Sequence, residues 1–427
     1  MQSERDTYVL VPNAARSAVL LHEGRLPCVT SRLGTAGVLE ALRSTYSLAV
    51  PYLRPARILR GDEGGKAGSA ISEFDAPDVE WELPAGLGWL TVADADPSRL
   101  SPPGLEPYVE KWLAIARGAP VPEKRPPWAR PGWLAEATAW LETSIAEADL
   151  HQTEPVEVVK QWALSSVLRC GTDGGRVYLK AVFSTFRHEP ALTQALAKEH
   201  AKLVPEVLAV DLSRGWMLMR ELSGSLIGEL EVETWADALR AAAGVHRAWP
   251  ARTSELLELG AHDRRLAALA VEIESAFEAA GPTNSERAVA QLQSRCEDLG
   301  EGPLPQTLVH GDLHPWNVMV DGDELRIFDW SDACVTHPLF DLPTFLLRAD
   351  DERARQSMLE TYLGAWTDLA SVKELHAAYE LALPLAHVHH AISYLRINEA
   401  LEPDDRWWFE DEPGRWLAGA VELLETP

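Results

Sequence analysis

Short runs dominated by apolar residues over 8–11, 18–21 and 89–92 read as strand-like and predict strands. Residues 35–44 instead repeat their apolar positions at helical spacing and predict a helix. The glycines and charges of residues 61–69 predict an exposed loop. Residues 1–117 therefore read as a small mixed α/β unit. Next comes GAPVPEKRPPWARPGW, residues 118–133, with five prolines in sixteen positions. Proline lacks a backbone donor and fits neither a helix interior nor a central strand, so this stretch predicts a stiff linker at a domain boundary.

Beyond it, residues 133–148 carry the apolar stripe of an amphipathic helix. Three strand-like runs follow, 156–162, 166–170 and 177–183, the last two joined by the hairpin signal GTDGG. A helix is expected over 189–200, and two strands, 207–211 and 216–221, flank a Ser-Arg-Gly turn. Residues 231–299 are helical in pattern, with interruptions near Pro250 and at Gly281-Pro282. Short strands and loops return over 304–330. From Asp341 onward the pattern is again helical, with breaks expected near Pro384 and Pro403. The expected class is α+β: a small five-stranded antiparallel lobe over 134–222, a mostly helical lobe over 223–427, and a separate α/β unit in front.

Composition narrows the partners. The 427 residues are 46% hydrophobic and 24% charged, ordinary for a globular chain. A net charge of −26 repels phosphate backbones and anionic membrane surfaces, so neither nucleic acid nor membrane is an expected partner. No apolar run reaches the roughly 18 residues of a membrane span, and the first residues lack a secretory pattern. Cys28, Cys170, Cys296 and Cys334 form no CxxC pair and read as reduced thiols of a cytoplasmic protein.

The richest chemistry lies in LVHGDLHPWNVMVDGDELRIFDWSD, residues 308–332. Phosphoryl transfer to a hydroxyl requires a carboxylate to orient the alcohol and take its proton. It also requires oxygen ligands for a metal bridging the phosphates, and a cation for the nucleotide tail. Asp312 is followed by Asn317 at the spacing of a kinase catalytic loop. Residues 318–320 and 325–328 predict a hairpin around Asp321-Gly322, which returns the chain so that Asp329 faces the loop. Asn and Asp supply the hard oxygens that Mg2+ prefers. His310 reads as architectural, tying the loop to the turn around Asp329.

HGDxxxxN followed by a Phe-Asp-Trp segment resembles the aminoglycoside phosphotransferase and choline kinase superfamily, whose fold is protein-kinase-like. The resemblance spans roughly residues 150–420. It implies Asp312 as general base, Asn317 and Asp329 as Mg2+ ligands, and ATP or GTP as phosphoryl donor. It also implies that Lys180, on the strand Val177-Tyr178-Leu179-Lys180-Ala181, neutralises the nucleotide's α- and β-phosphates. Glu189 would pair with Lys180 from the next helix, with Glu199 as a competitor. The segment Met219 to Leu222, including Glu221, resembles the hinge whose backbone bonds the purine. A protein-kinase Gly-rich loop is missing, and Ser165 and Ser166 stand where phosphate donors would be. Asp341 resembles the superfamily's aspartate before the following helix, with an N-cap or loop-bracing role.

An acceptor pocket is expected in the helical lobe, from His390 and Tyr394 on one helix and from Asp405 and Trp407 in DDRWWFEDE. Carboxylates and an indole suit a sugar or amino sugar. Residues 1–117 resemble a Nudix-type α/β domain without its metal-binding helix, the stretch reading GVLEALRSTY. Roles open to this unit are a cap, a substrate lid or a dimerisation surface, the last making a homodimer. The function expected is phosphorylation of a small-molecule hydroxyl on a sugar, amino sugar, aminoglycoside or amino alcohol. The competing reading is a nucleotide-binding pseudokinase acting as a regulatory module, and Mg2+-dependent turnover separates the two.

Overall fold

The computed structural model describes residues 4–31, 34–59, 68–77 and 81–425, and most of the loop expected over 61–69 lies outside them. Two compact units emerge: Met1–Phe183 with Leu401–Trp408, and Ser184–Ala400 with Phe409–Pro427. The first division falls between the expected boundaries at 133 and 222.

The first unit opens with strands β1 (Arg5–Leu10), β2 (Ala18–His22) and β3 (Cys28–Ser31), helix α1 (Thr35–Tyr46), and strands β4 (Tyr52–Leu59), β5 (Ser69–Phe74) and β6 (Leu87–Thr91). Helices α2 (Pro97–Leu100), α3 (Glu106–Ala116) and α4 (Trp133–Glu147) follow, then strands β7 (Glu157–Gln161), β8 (Ser165–Thr172) and β9 (Gly175–Val182). A four-stranded sheet runs β3-β1-β5-β4, with β1 and β5 parallel and the other pairs antiparallel. Alternation along β1 sends Val9 into the cluster holding Val38 and Leu42 of α1, and Leu10 into the one holding Val109 and Leu113 of α3. Helices thus cover both faces, and β7, β8 and β9 form an antiparallel meander.

The proline-rich stretch, expected as a linker, is an ordered strap. Trp128 and Ala129 are each 1% exposed, and Trp128 Nε1 donates to Trp162 O at 2.7 Å. Its Arg125 enters a buried ion cluster. Arg54 of β4 reaches Glu73 at 3.0 Å, Asp405 at 3.0 Å, and Glu402, while Arg125 reaches Glu73 and Glu402 at 3.1 Å each. The side chains are at most 6% exposed, so each charge depends on its partners for the stabilisation that water would give. This cluster ties Leu401–Trp408, distant in sequence, to the first unit's sheet.

In the second unit, helix α5 (Glu189–Glu199) precedes the antiparallel hairpin β10 (Val207–Asp211) and β11 (Trp216–Arg220), then β12 (Ser225–Leu226). Helices α6 (Trp235–Ala248) and α7 (Thr253–Glu258), strand β13 (His262–Asp263), and helices α8 (Leu266–Ala280) and α9 (Glu286–Gly300) come next. The island comprises β14 (Thr307–Val309), β15 (Val318–Asp321), β16 (Glu324–Ile327) and β17 (Cys334–Thr336). Helices α10 (Leu342–Leu346), α11 (Glu352–Gly364), α12 (Val372–Ala400) and α13 (Glu412–Glu425) complete the unit around one large apolar core. Two three-stranded sheets, β12-β15-β16 and β13-β17-β14, carry the island on that core.

The break expected at Pro384 does not occur; α12 runs through it for 29 residues. Proline removes the N–H that would bond the carbonyl four residues earlier. That carbonyl, Glu380 O, accepts instead from Arg295 Nη1 at 3.1 Å. No helix of the described residues is long and apolar enough to cross a membrane.

The ion cluster holds three carboxylates against two guanidinium groups, and burial pushes Asp405 up to about 6 against the pull of Arg54. A folded value above the unfolded 3.8 means the native state takes up a proton as pH falls between about 6 and 4, gaining stability there. Above that window the charged form costs stability. Asp405→Asn is therefore expected to raise stability at pH 8 by about 1–3 kcal/mol, with the gain vanishing near pH 4. Urea denaturation across pH checks this, and a variant weaker than the parent at pH 8 contradicts it.

Candidate active site

Asp312 follows β14 in a loop that several side chains pin from below. Asp341 accepts the His310 N–H at 2.8 Å and the Gly311 N–H at 2.7 Å. Its Oδ2 also faces His246 Nε2 at 3.1 Å, and His246 Nδ1 meets the Tyr362 hydroxyl at 2.7 Å. Asp341 is fully buried; burial pushes its pKa up, but the bonds from His246 and His310 outweigh that and hold it below the usual carboxylate value. Asp341 thus braces the loop, and its side chain caps no helix. Thr344 Oγ1 adds a bond to Leu313 O at 2.8 Å.

Gly311 is required here. Its φ is +83°, and a Cβ would stand 2.1 Å from Asp332 O. The close approach brings the segment after Asp329 against the loop, so glycine at this point sets the spacing of the two acids.

The hairpin β15–β16 returns the chain as expected, with Val318 paired to Ile327. His310 Nε2 donates to Phe328 O at 2.9 Å, and Phe328 N donates to Asn317 O at 3.0 Å. These bonds tie the loop to the strand end where Asp329 stands. Burial lowers the His310 pKa, leaving it a neutral donor. Asp329 adopts the left-handed conformation at φ 65°, ψ 57°, which is strained for a residue with a side chain.

The Asp312 side chain keeps 42% of its surface accessible, yet the protein atoms crowding it raise its pKa. His314, 3.7 Å away, pulls the value down, and Asp329 pushes it up. Asn317 Nδ2 donates to Asp312 O at 3.0 Å, which turns the amide oxygen away from its own loop. Ser331, which the sequence reading missed, places its hydroxyl 2.8 Å from Asp329 Oδ1 and 2.7 Å from Glu189 Oε2. Its position two residues past Asp329 was the available signal.

Asn317 and Asp329 offer one amide oxygen and one carboxylate. Among the described residues no group of three or more His, Cys, Asp or Glu is arranged to hold a metal. A donor set this sparse suits Mg2+, which keeps waters and takes phosphate oxygens for its remaining positions.

The other expected residues fall in several places. Lys180 is buried in β9, and Met219 lies in β11 with Glu221 and Leu222 just beyond it. Glu221 and Leu222 border a small cavity of about 180 Å³ with Glu206, Arg220 and Asp321. Ser166 is wholly buried and donates to Gln161 Oε1 at 2.9 Å, while Ser165 Oγ accepts from Trp162 Nε1 at 2.8 Å. The hydroxyl of Ser166 is therefore turned inward, away from any phosphate. Tyr394 is half-buried within electrostatic reach of Asp312; burial first, then Asp312, raises its pKa. His390 is 4% exposed, packs on Trp416 at 4.7 Å, and is pushed by burial down to about 3, so it belongs to the core. Asp405 is committed to Arg54, and Trp407 stacks on Trp408 at 4.2 Å beneath Arg57. Both belong to the first unit, not to the helical lobe where an acceptor pocket was expected.

A braced His-Gly-Asp loop, a following asparagine and a strained aspartate after a short hairpin define a kinase-like phosphotransferase. The model of the phosphotransferase enzyme family matches residues 156–375, and the chain belongs to that family, as a small-molecule kinase. No curated protein matches its sequence. Among solved structures it is similar to a choline/ethanolamine kinase family protein from Mesorhizobium loti, at 20% identity over 69% of this chain and 95% of that one, TM-score 0.50. It is also similar to macrolide 2'-phosphotransferase type I, at 19% identity over 68% and 97%, TM-score 0.45. A choline kinase from Streptococcus pneumoniae matches at 15% identity over 68% and 99%, TM-score 0.48.

Asp341→Ala leaves two backbone donors and His246 without their acceptor. It is expected to lower unfolding free energy by about 2–4 kcal/mol in urea denaturation. Gly311→Ala is expected to cut turnover by about 100-fold or more, because it displaces the loop from the chain after Asp329. Steady-state assays beside circular dichroism check that the loss is local.

Proposed function

We propose that the chain transfers the γ-phosphate of ATP or GTP to a hydroxyl of a small molecule, with Asp312 as general base. The observation carrying this reading is a partly open Asp312 carboxylate, within electrostatic reach of Asp329, on a loop held by Asp341. As the acceptor oxygen bonds to the γ-phosphorus, its proton passes to an Asp312 oxygen. The bond from that phosphorus to the β-phosphate's bridging oxygen breaks, leaving a nucleoside diphosphate. Asn317 and Asp329 would hold Mg2+, which when bound would supply charge neutralisation at the phosphates.

Lys180 serves the α- and β-phosphates as a fixed cation, and the backbone from Met219 to Leu222 receives the purine. Glu189 acts through the Ser331 hydroxyl, which orients the Asp329 carboxylate that it contacts. Tyr394, the expected acceptor residue within reach of Asp312, marks the acceptor side. Acceptors in keeping with the reading are sugars, amino sugars, aminoglycosides and amino alcohols.

A phosphorylation screen of these four classes with ATP and with GTP tests the proposal. Asp312→Asn is expected to lower kcat by about 1000-fold or more while nucleotide affinity stays within a few-fold, since only the proton acceptor is removed. Turnover equal to the parent's would discard Asp312 as base. The raised Asp312 pKa adds a pH expectation. The base works only when ionised, so kcat/KM falls as pH is lowered, with its acid limb above the range of an ordinary aspartate. An acid limb that persists unchanged in Asp312→Asn contradicts that assignment.

A further inference from the structure

The first unit contains a cavity of about 300 Å³, within the size range of small-molecule sites, and no residue assigned to catalysis is among its described lining residues. Its floor is the four-stranded sheet, with Thr7 and Ser31 from β1 and β3 and Tyr52 and Ser72 from β4 and β5. These four are at most 5% exposed and bond mainly to one another: Thr7 to Ser31 at 3.1 Å, and Tyr52 to Ser72 at 3.4 Å. A hydroxyl has one donor and two acceptor sites, so these pairs retain capacity for a further partner.

Charge distinguishes the cavity from the rest of the molecule. In a chain of net charge −26, the described residues of its lining include no aspartate or glutamate but do include Arg5 and Lys160. Arg5 Nε and Nη1 are both buried and have no hydrogen-bond partner among the described residues. Nitrogens of a cation stripped of water without an acceptor are costly, and an anionic oxygen is the natural remedy. The same desolvation lowers the Arg5 pKa. Helix α1 starts on the cavity wall at Gly34 and Thr35, with no side-chain cap and no acid in its first turn, adding partial positive charge.

The remaining wall is aromatic and apolar. Trp162 and Trp408 meet edge to face at 5.7 Å, Lys160 lies 4.3 Å from the Trp162 ring, and Val38, Pro55 and Ile58 add apolar surface. Thr35 fixes this wall by a reciprocal pair of bonds with the Gln161 backbone at 2.9 and 3.1 Å. We propose that this cavity binds a small organic anion, a phosphate or carboxylate carried on an apolar ring, with Arg5 holding the anionic oxygens and the tryptophans packing the ring.

Isothermal titration of the full chain with phenyl phosphate, benzoate and neutral benzyl alcohol tests the assignment. Saturable one-to-one binding of at least one anion is expected, at least about tenfold tighter than benzyl alcohol. The tighter anion identifies the head group. Arg5→Met should weaken that binding about tenfold or more without lowering Tm, because it removes a charge whose buried Nε and Nη1 have no partner among the described residues. Thr7→Val, which keeps the packing volume, should weaken it to a lesser degree. Asp312→Asn should bind as the parent does, which separates this cavity from the catalytic loop. The proposal is overturned if neither anion saturates, if benzyl alcohol binds equally well, if Arg5→Met binds undiminished, or if Asp312→Asn abolishes binding.

Discussion

Two backbone N–H groups, those of His310 and Gly311, end on the carboxylate of Asp341, and the candidate site depends on that capture. A loop carrying an acid meant to face a second acid is under electrostatic pressure to open. Here Asp329 raises the cost of charge on Asp312, and the loop has no regular ladder to hold it. Charge-assisted hydrogen bonds to a buried carboxylate are among the stronger local constraints available. Burial of Asp341 makes the constraint stiffer still, because no water competes for its oxygens. His246 and Tyr362 extend the brace into α6 and α11, so the loop rests on the helical core.

The first unit uses the same physics for a different end. Its ion cluster fastens Leu401–Trp408 to strands β4 and β5 and to the proline-rich strap. A segment that looks, by its acids and tryptophans, like a sugar cradle is instead the counter-charge of two buried arginines. Burial of five charges is costly unless every one finds a partner, so the cluster specifies one arrangement more than it adds stability. Gln161 plays a neutral version of this part, its amide reaching the carbonyls of Tyr52, Leu53 and Trp128.

Much of the fold was legible in the sequence because the periodicities are local. The helices at 35, 133 and 189 and the strands of the meander follow from side-chain spacing alone. Strands β4 and β5 were not foreseen. Pro55 interrupts the pattern of β4, and its register shifts between Tyr52 and Arg54 and between Pro55 and Arg57. The strap was misread for a related reason: proline content reports the backbone, whereas burial of Trp128 depends on a groove built by distant residues. Pro384 failed as a break because Arg295, on another helix, takes over the orphaned carbonyl.

For the candidate site, the sequence by itself determined the arrangement: His310, Gly311, Asp312, Asn317 and Asp329 stand at spacings that one loop and one hairpin bring together. Local geometry suffices there, since fewer than twenty residues separate the two acids. Only the tertiary structure decided what lies more than a hairpin away. It assigned Asp405 to Arg54, sent His390 into the core, and set Ser331 between Glu189 and Asp329. A carboxylate's role is fixed by the charge that reaches it first, and which charge that is depends on how remote segments pack.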